Sequence, residues 1–380
     1  MTDLYIIAPV RTPIGKFGGA LAKLTAADIG VESAKATIAR SNIDPLAIDE
    51  VIFGNARQAG VGPNVARQIA IRSGLQHETP AYTVNQACGS GLRAIMNAAD
   101  QIRLGHANVI LAGGTESMSN TPYLLPRARW GMRMGHGELV DGMYRDGFMC
   151  PLADEMMGAT AETLADRYDI TRDEQDQFAL ESQQKASRAT FDEEIVPLPQ
   201  LDHDEHPRFD TDLGSLAKLP PVFRKNGTVH AGNSSGITDG ASSMLVVSES
   251  ALAKHALQPM ARIIGYAQAG VDPKIMGIGP VPATRKLLAG TGTKLDDIDL
   301  IELNEAFAAQ VIACERELHF DRAKLNVHGG AIALGHPIGC TGARITTTLL
   351  HALRKRNARL GLATLCISGG MGLAMLVEAV

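Results

Sequence analysis

Val84-Asn85-Gln86-Ala87-Cys88-Gly89-Ser90-Gly91-Leu92 is the stretch on which the reading of this chain turns. An apolar strand end leads into a cysteine in a glycine-rich turn, and a helical pattern then runs from Leu92 to Leu104, so the spacing predicts a strand-turn-helix unit that aims one thiol at a helix N-terminus. The helix dipole and unpaired backbone N–H groups favour a thiolate there. Gly89 and Gly91 leave room for a substrate to approach the backbone. A lone cysteine at such a corner is more often a small buried hydrophobe. Its company changes the reading: Gly335-His336-Pro337-Ile338-Gly339 and Cys366-Ile367-Ser368-Gly369-Gly370-Met371-Gly372 are two further glycine-rich turns, and Asn304-Glu305-Ala306-Phe307 is a third polar corner. Two cysteines, a histidine and an asparagine at turns form a catalytic inventory.

With 380 residues, 45% apolar and 20% charged, the chain is long enough for two or three domain-sized units with a large core. A net charge of −5 and the lack of a concentrated basic block argue against nucleic acid as a partner. Leu4 to Ala8 reads as an apolar strand, and no run reaches membrane-spanning length, so a cytoplasmic protein without a membrane partner is expected. Five cysteines have neither disulfide-framework nor zinc-ligand spacing. Asp202-His203-Asp204-Glu205-His206 looks ligand-rich, but in a polar, proline-bounded stretch it reads as a solvated loop, and no metal is assigned.

The chain repeats itself. Asp49 to Ala56 and Asp299 to Ala306 share an acidic start, an apolar strand and a turn ending in alanine, at an offset of 250 residues; the Cys88 and His336 turns pair at 248, and Gly113-Gly114 with Gly369-Gly370 at 256. This spacing predicts two similar α/β halves related by pseudo-symmetry, able to bring the cysteine of one to the histidine of the other. The expected boundaries are 1–117 plus about 241–265 for the first half, 118–240 for an inserted loop domain, and 266–380 for the second half. The insertion carries Trp130 and methionines 132, 134, 143, 149, 156 and 157, expected partly as core and partly as ligand pocket.

Asn85-x-x-Cys88-Gly89-Ser90-Gly91, Gly113-Gly114-x-Glu116-Ser117-Met118-Ser119, Asn304-Glu305-Ala306-Phe307-Ala308, Gly335-His336-Pro337-x-Gly339 and Cys366-x-x-Gly369-Gly370-Met371-Gly372 resemble the motifs of the thiolases, in order and across the whole chain. Arg11-Thr12-Pro13-Ile14-Gly15 and Ala231 to Gly236 extend the resemblance. It implies an α/β fold of two βαβαβ-type halves in α-β-α-β-α layers, with a loop domain holding coenzyme A, in a homo-oligomer that is a dimer or a dimer of dimers. It also implies reversible thiolytic cleavage of a short 3-ketoacyl-CoA, acetoacetyl-CoA foremost, by CoA; a broader-range 3-ketoacyl-CoA thiolase of fatty-acid degradation is the alternative. Acyl-CoA and CoA are then substrates, and no prosthetic group is expected.

Carried over position by position, the resemblance implies that Cys88 is acylated, His336 activates it, Cys366 is the acid/base cysteine and Asn304 holds a water that forms an oxyanion hole with His336. For CoA binding and the pocket it implies Arg208, Ser215, Ser235, Met157, Met276, Ala306 and Phe307. The chemistry needs these types. A thiolate attacks a ketone and leaves again as a good leaving group, and the departing enolate needs a second group near neutral pKa, which Cys366 is expected to be. The chain departs from the family at Met156, where short-chain members usually have histidine, at Ser368 in place of glycine, and at His328 in place of asparagine. The loop domain is also somewhat shortened. A decarboxylating ketoacyl-synthase type, a non-catalytic acyl-CoA carrier and a serine hydrolase fit less well: Cys366 counts against the first, the full set of reactive residues against the second, and the lack of a Gly-x-Ser-x-Gly elbow against the third.

Overall fold

In the computed structural model, which describes residues 2–380, the first half runs β1 (Leu4–Arg11), α1 (Ala26–Ser41), β2 (Glu50–Gly54), α2 (Val65–Arg72), β3 (Ala81–Val84), α3 (Ser90–Arg103) and β4 (Val109–Ser117). Helices α4 (Met157–Arg167) and α5 (Arg172–Arg188) belong to the insertion, and β5 (Thr238–Ser248) returns to the first sheet. The second half repeats the plan with β6 (Ala261–Gly270), α6 (Pro280–Thr291), β7 (Leu300–Leu303), α7 (Ala308–Leu318), α8 (Ile338–Lys355), β8 (Leu360–Ile367) and β9 (Met371–Ala379).

Strand order is β7-β8-β9-β6-β1-β5-β4-β2-β3. The two halves meet at β1 and β6, through only Tyr5↔Arg262 and Ile6↔Ala261. Period-two alternation sets the layers. Ile110 and Ala112 of β4 face a cluster shared with Leu92 and Ile95 of α3 and Ile345 and Leu349 of α8, and Ala363 and Leu365 of β8 join the same cluster from the other sheet. The intervening Val109 and Leu111 point the other way, onto α1 and α2; in the second half Leu362 does the same toward α6 and α7. Helices α3 and α8 therefore lie between two sheets with helices outside each, the α-β-α-β-α layering that the resemblance implies. A helix sandwiched in this way is covered on every side, and residues 338–353 of α8 are all buried, its threonines, Arg344 and His351 included.

The repeat extends to hydrogen bonds. Asp49 accepts from the N–H groups of Asn108 and Val109 at 2.6 and 2.9 Å, and Asp299 accepts from those of Arg359 and Leu360 at 2.8 Å each. Each aspartate ties the start of one parallel strand to the next. Strand β6 pairs with β9 from Ala261↔Ala379 to Gly270↔Met371. The boundary expected near 265 thus falls inside a strand of the second half, and the one at 240 falls inside β5. No helix among the described residues is long and apolar enough to cross a membrane.

Candidate active site

The Cys88 turn is built by its own polar side chains. Ala87 takes φ +45°, a left-handed conformation that costs an L-residue about 1–2 kcal/mol. Its N–H donates to Asn85 Oδ1 at 3.0 Å, and the Ser90 hydroxyl donates to Ala87 O at 2.6 Å while accepting from Gln86 N at 2.9 Å. The strain is held by three local hydrogen bonds and presents a half-buried Cys88 one residue before the N-cap of α3.

The His336 turn docks on it through glycines. A Cβ at Gly91 would lie 2.8 Å from Ala343 N, one at Gly339 would lie 2.6 Å from Thr115 O, and one at Gly114 would collide with Gly339 O. Only bare backbone allows this approach. Glu116 clamps it, its buried carboxylate accepting from Gly339 N of the second half at 2.9 Å and from Ala56 N and Asn55 Nδ2 of the first at 3.0 and 2.7 Å.

His336 is buried, and its Nδ1 lies 2.6 Å from Thr341 Oγ1. That hydroxyl has one hydrogen and gives it to Pro337 O at 3.0 Å, so Nδ1 carries the ring proton and donates it to Thr341. Nε2 then holds a lone pair, is buried and has no partner among the described residues. Burial, reinforced by the Arg344 and Arg57 guanidinium charges, holds the imidazole down to about 3, and the ring stays neutral. Asn304, just past β7, is equally unusual: its backbone is tied to Thr364 O at 3.0 Å, but neither Nδ2 nor Oδ1 has a partner among the described residues although both are buried. Unpaired buried amide groups are costly and mark places where something else is bound.

Cys366 is the penultimate residue of β8 and 1% exposed, and its neighbour Ile367 packs on the Cys88 turn, where a Cβ at Gly89 would lie 2.6 Å from Ile367 Cδ1. Burial first, then Cys88 and Cys314, pushes its thiol well above the ordinary cysteine range. The near-neutral pKa expected for it is therefore corrected: in the substrate-free protein this thiol keeps its proton. The thiolate expected at Cys88 is corrected too, because burial raises that thiol more than Arg57 and the N–H groups of Ser368 and Cys88 lower it. Those two N–H groups nevertheless converge on the Cys88 sulfur. The Ser368 departure leaves its N–H in place.

The expected binding residues fall into two groups. Arg208 and Ser215 line one cavity of about 230 Å³ together with Leu216, Leu219 and Gly232. Met276, Ala306, Phe307 and Met157 form an apolar cluster with Cys366. The segment from Ala231 to Gly236 joins them: Ser235 N donates to Ala306 O at 3.0 Å, and Gly236 O accepts from His336 N at 3.1 Å. Phe223 escaped the sequence reading; it meets Phe307 edge-on at 6.1 Å, and a Cβ on Gly158 would strike its ring.

The 202–206 cluster is not a solvated loop throughout. Asp204 forms a two-pronged pair with the fully buried Arg11 at 2.7 and 2.8 Å, Glu205 accepts from Lys16 N and Ala20 N, and His206 Nδ1 lies 2.8 Å from Ala333 O. Arg11 needs a carboxylate because a guanidinium cannot shed its proton, and the loop folds back to supply one. Among the described residues no group of three or more His, Cys, Asp or Glu is placed to hold a metal ion. The methionines divide differently from expectation: Met143 is core and Met157 lies in the cluster beside Cys366, but Met132 and Met134 are exposed.

The family models described as "Thiolase, N-terminal domain" and "Thiolase, C-terminal domain" match residues 4–250 and 257–379. The chain belongs to the thiolase family. Among curated proteins, this thiolase is 50% identical over 391 residues to acetyl-CoA acetyltransferase of Escherichia coli strain K12, covering 100% of this chain and 99% of that one. The protein of the same name from Cupriavidus necator is 48% identical, with both chains fully covered. Among solved structures, Bacillus anthracis acetyl-CoA acetyltransferase superposes with a TM-score of 0.98 at 47% identity, covering 100% of this chain and 99% of that one. Human mitochondrial 3-ketoacyl-CoA thiolase in complex with CoA gives 0.98 at 43%, covering 100% and 98%.

Proposed function

We infer that this thiolase is an acetyl-CoA C-acetyltransferase, cleaving acetoacetyl-CoA with CoA and running the reverse condensation of two acetyl-CoA molecules. The observation that carries the reading is the docking of the His336 turn on the Cys88 turn, with His336 Nε2 buried and, among the described residues, without a partner; burial pushing both the Cys88 and Cys366 thiols up and holding the imidazole neutral supports it. In cleavage, His336 Nε2 takes the Cys88 proton and the sulfur attacks C3 of the substrate. The C2–C3 bond breaks, the enolate of acetyl-CoA takes its proton from Cys366, and Cys88 is left acetylated. Incoming CoA gives its thiol proton to Cys366, its thiolate attacks the Cys88 thioester, and the departing Cys88 sulfur recovers the proton held on His336. In both directions, negative charge on the oxygen of the Cys88-bound carbonyl is met by the N–H groups of Cys88 and Ser368, and that on the enolate oxygen by His336 with a water held by Asn304.

The cavity at Arg208 and Ser215 is assigned to the nucleotide end of CoA, and the path along Ser235 to Ala306 and Phe307 to its pantetheine arm. CoA and acyl-CoA serve as substrates, and no step calls for a prosthetic group. A homo-oligomer fits the half-exposed sheet edge at β3 and the exposed Trp130 and Met134 of the insertion. Five free thiols suit a reducing compartment such as the cytoplasm.

Short chains are expected to be preferred. Met157, Met276 and Phe307 close the pocket beside Cys366, while flexible Met156 can repack around added carbons. Each methylene that finds room gains about 0.8 kcal/mol, and overpacking costs about 1–3 kcal/mol. Initial rates with CoA should give kcat/KM highest for acetoacetyl-CoA and falling gradually along the neutral 3-ketoacyl series. A maximum at eight carbons would contradict this, and absent turnover of acetoacetyl-CoA would remove the reading altogether.

A further inference from the structure

A polar stripe runs along α8, although that helix lies between two sheets. Thr341, Arg344, Thr348 and His351 follow one another at helical spacing on one face, and all four are buried. Thr341 Oγ1 lies 2.6 Å from His336 Nδ1, Thr348 donates to Glu194 at 3.1 Å and His351 Nε2 lies 3.0 Å from Pro9 O. Arg344 reaches across to β7, where its Nη1 lies 3.4 Å from Glu302 Oε2. Along β7, Leu300 joins the inner cluster with Ile345 and Leu349 of α8, while Ile301 and Leu303 join the outer cluster with α6 and α7. Alternation therefore turns Glu302 and Asn304 toward α8 together. On the helix, Arg344 lies one turn beyond Thr341. A series of contacts and adjacent positions thus leads from the Asn304 amide through Glu302, Arg344 and Thr341 to the His336 ring.

As a source of stability the Arg344–Glu302 pair is poor. Both side chains are buried, yet they meet through one long contact, and Glu302 Oε1, Arg344 Nε and Arg344 Nη2 have no partner among the described residues. Arg11, by contrast, is held by Glu194 and by both oxygens of Asp204. Taking two charges out of water costs more than one loose contact returns, and apolar side chains of similar volume would fill the same space as well. What apolar packing does not supply is direction. A hydrogen-bonding pair accepts few separations and angles, so it fixes how β7 and α8 stand relative to each other at the level of the reactive groups.

We propose that Arg344 is a positioning residue of the reaction: braced against Glu302, it keeps Asn304 and His336 at the spacing where both serve the enolate oxygen, His336 directly and Asn304 through the water it holds. This rests on the acyl-enzyme reading above and adds to it what aligns the enolate site. Two groups that act on one oxygen from separate elements need those elements locked, because a displacement of about 1 Å can cost about 10²-fold in rate.

The test removes the brace without leaving a lone buried charge. Arg344→Met combined with Glu302→Leu substitutes apolar side chains of similar volume, so the thermal midpoint and the calorimetric Kd for CoA should stay close to those of the unaltered enzyme. Deuterium washout from the methyl group of acetyl-CoA, which reports enolate formation, should fall about 10²-fold. Single-turnover acetylation of Cys88 should fall by less than about tenfold, since that step uses His336 but not Asn304. Glu302→Gln is the second variant. It keeps the volume and one bond to Arg344 but loses the charge, and washout should fall about tenfold with acetylation unchanged. Unchanged washout in either variant that folds overturns the proposal. So do equal losses of washout and acetylation, or a loss of CoA affinity in parallel with them, which would make the pair a packing element only. If the unaltered enzyme neither acetylates Cys88 nor exchanges deuterium, the acyl-enzyme reading falls instead.

Discussion

Replacing His336 with alanine should slow acetyl transfer to Cys88 by about four powers of ten, the largest loss expected of any residue here other than the nucleophile. Two effects combine. General-base catalysis is worth about 10²–10⁴-fold, and a lost donor to a developing oxyanion a further 10²–10³-fold, with the two overlapping because one ring serves both. Raised pH should recover only the first part. Because burial pushes the Cys88 thiol up, that recovery needs a pH above the ordinary cysteine range. In the unaltered enzyme the sign is opposite: the ring is held down to about 3, so the basic form persists as pH falls, and the acid limb of kcat/KM should lie below the ordinary histidine value of about 6.5. Stopped-flow acylation and a pH–rate series check both. Near-normal acylation by the alanine variant would separate the two turns that Gly91, Gly114 and Gly339 bring together.

Cys366→Ser should divide the reaction. A hydroxyl has far too high a pKa to exchange a proton with the C2 carbon near neutrality, so overall thiolysis of acetoacetyl-CoA should fall on the order of 10³-fold. Acetylation of Cys88 by acetyl-CoA should suffer less, since there Cys366 protonates only a departing CoA thiolate, a far better leaving group than a carbanion. The substitution is small and Cys366 packs with Met276, Ala306 and Phe307, so thermal unfolding should move little. Equal losses in both steps would make Cys366 a packing residue.

The two α/β halves were legible in the sequence because the repeat at 250 residues and apolar runs such as Val109 to Ala112 and Leu362 to Leu365 mark them. Which face each residue of those runs takes was not legible, because the runs are apolar on both sides and the clusters they join are tertiary. The reactive turns were legible because each needs glycine at a defined point. What the sequence hid were tertiary partnerships. Asp204 reads as a loop carboxylate until Arg11, some 190 residues earlier, proves to be buried beneath it. Phe223 carries no local sign of facing Phe307. The thiol pKa values depend on burial depth, which a turn motif does not encode, and so at Cys88 burial outweighs the N–H groups that favour the thiolate.

The central claim is that Cys88 carries the acyl group. Brief exposure to acetyl-CoA, rapid quenching at acid pH and peptide mass spectrometry locate the label directly. A single acetyl group on the peptide containing Cys88, lost when CoA is added before quenching, is the result the geometry predicts; an acetyl group on Cys314, Cys340 or Cys366 with Cys88 unmodified would contradict it.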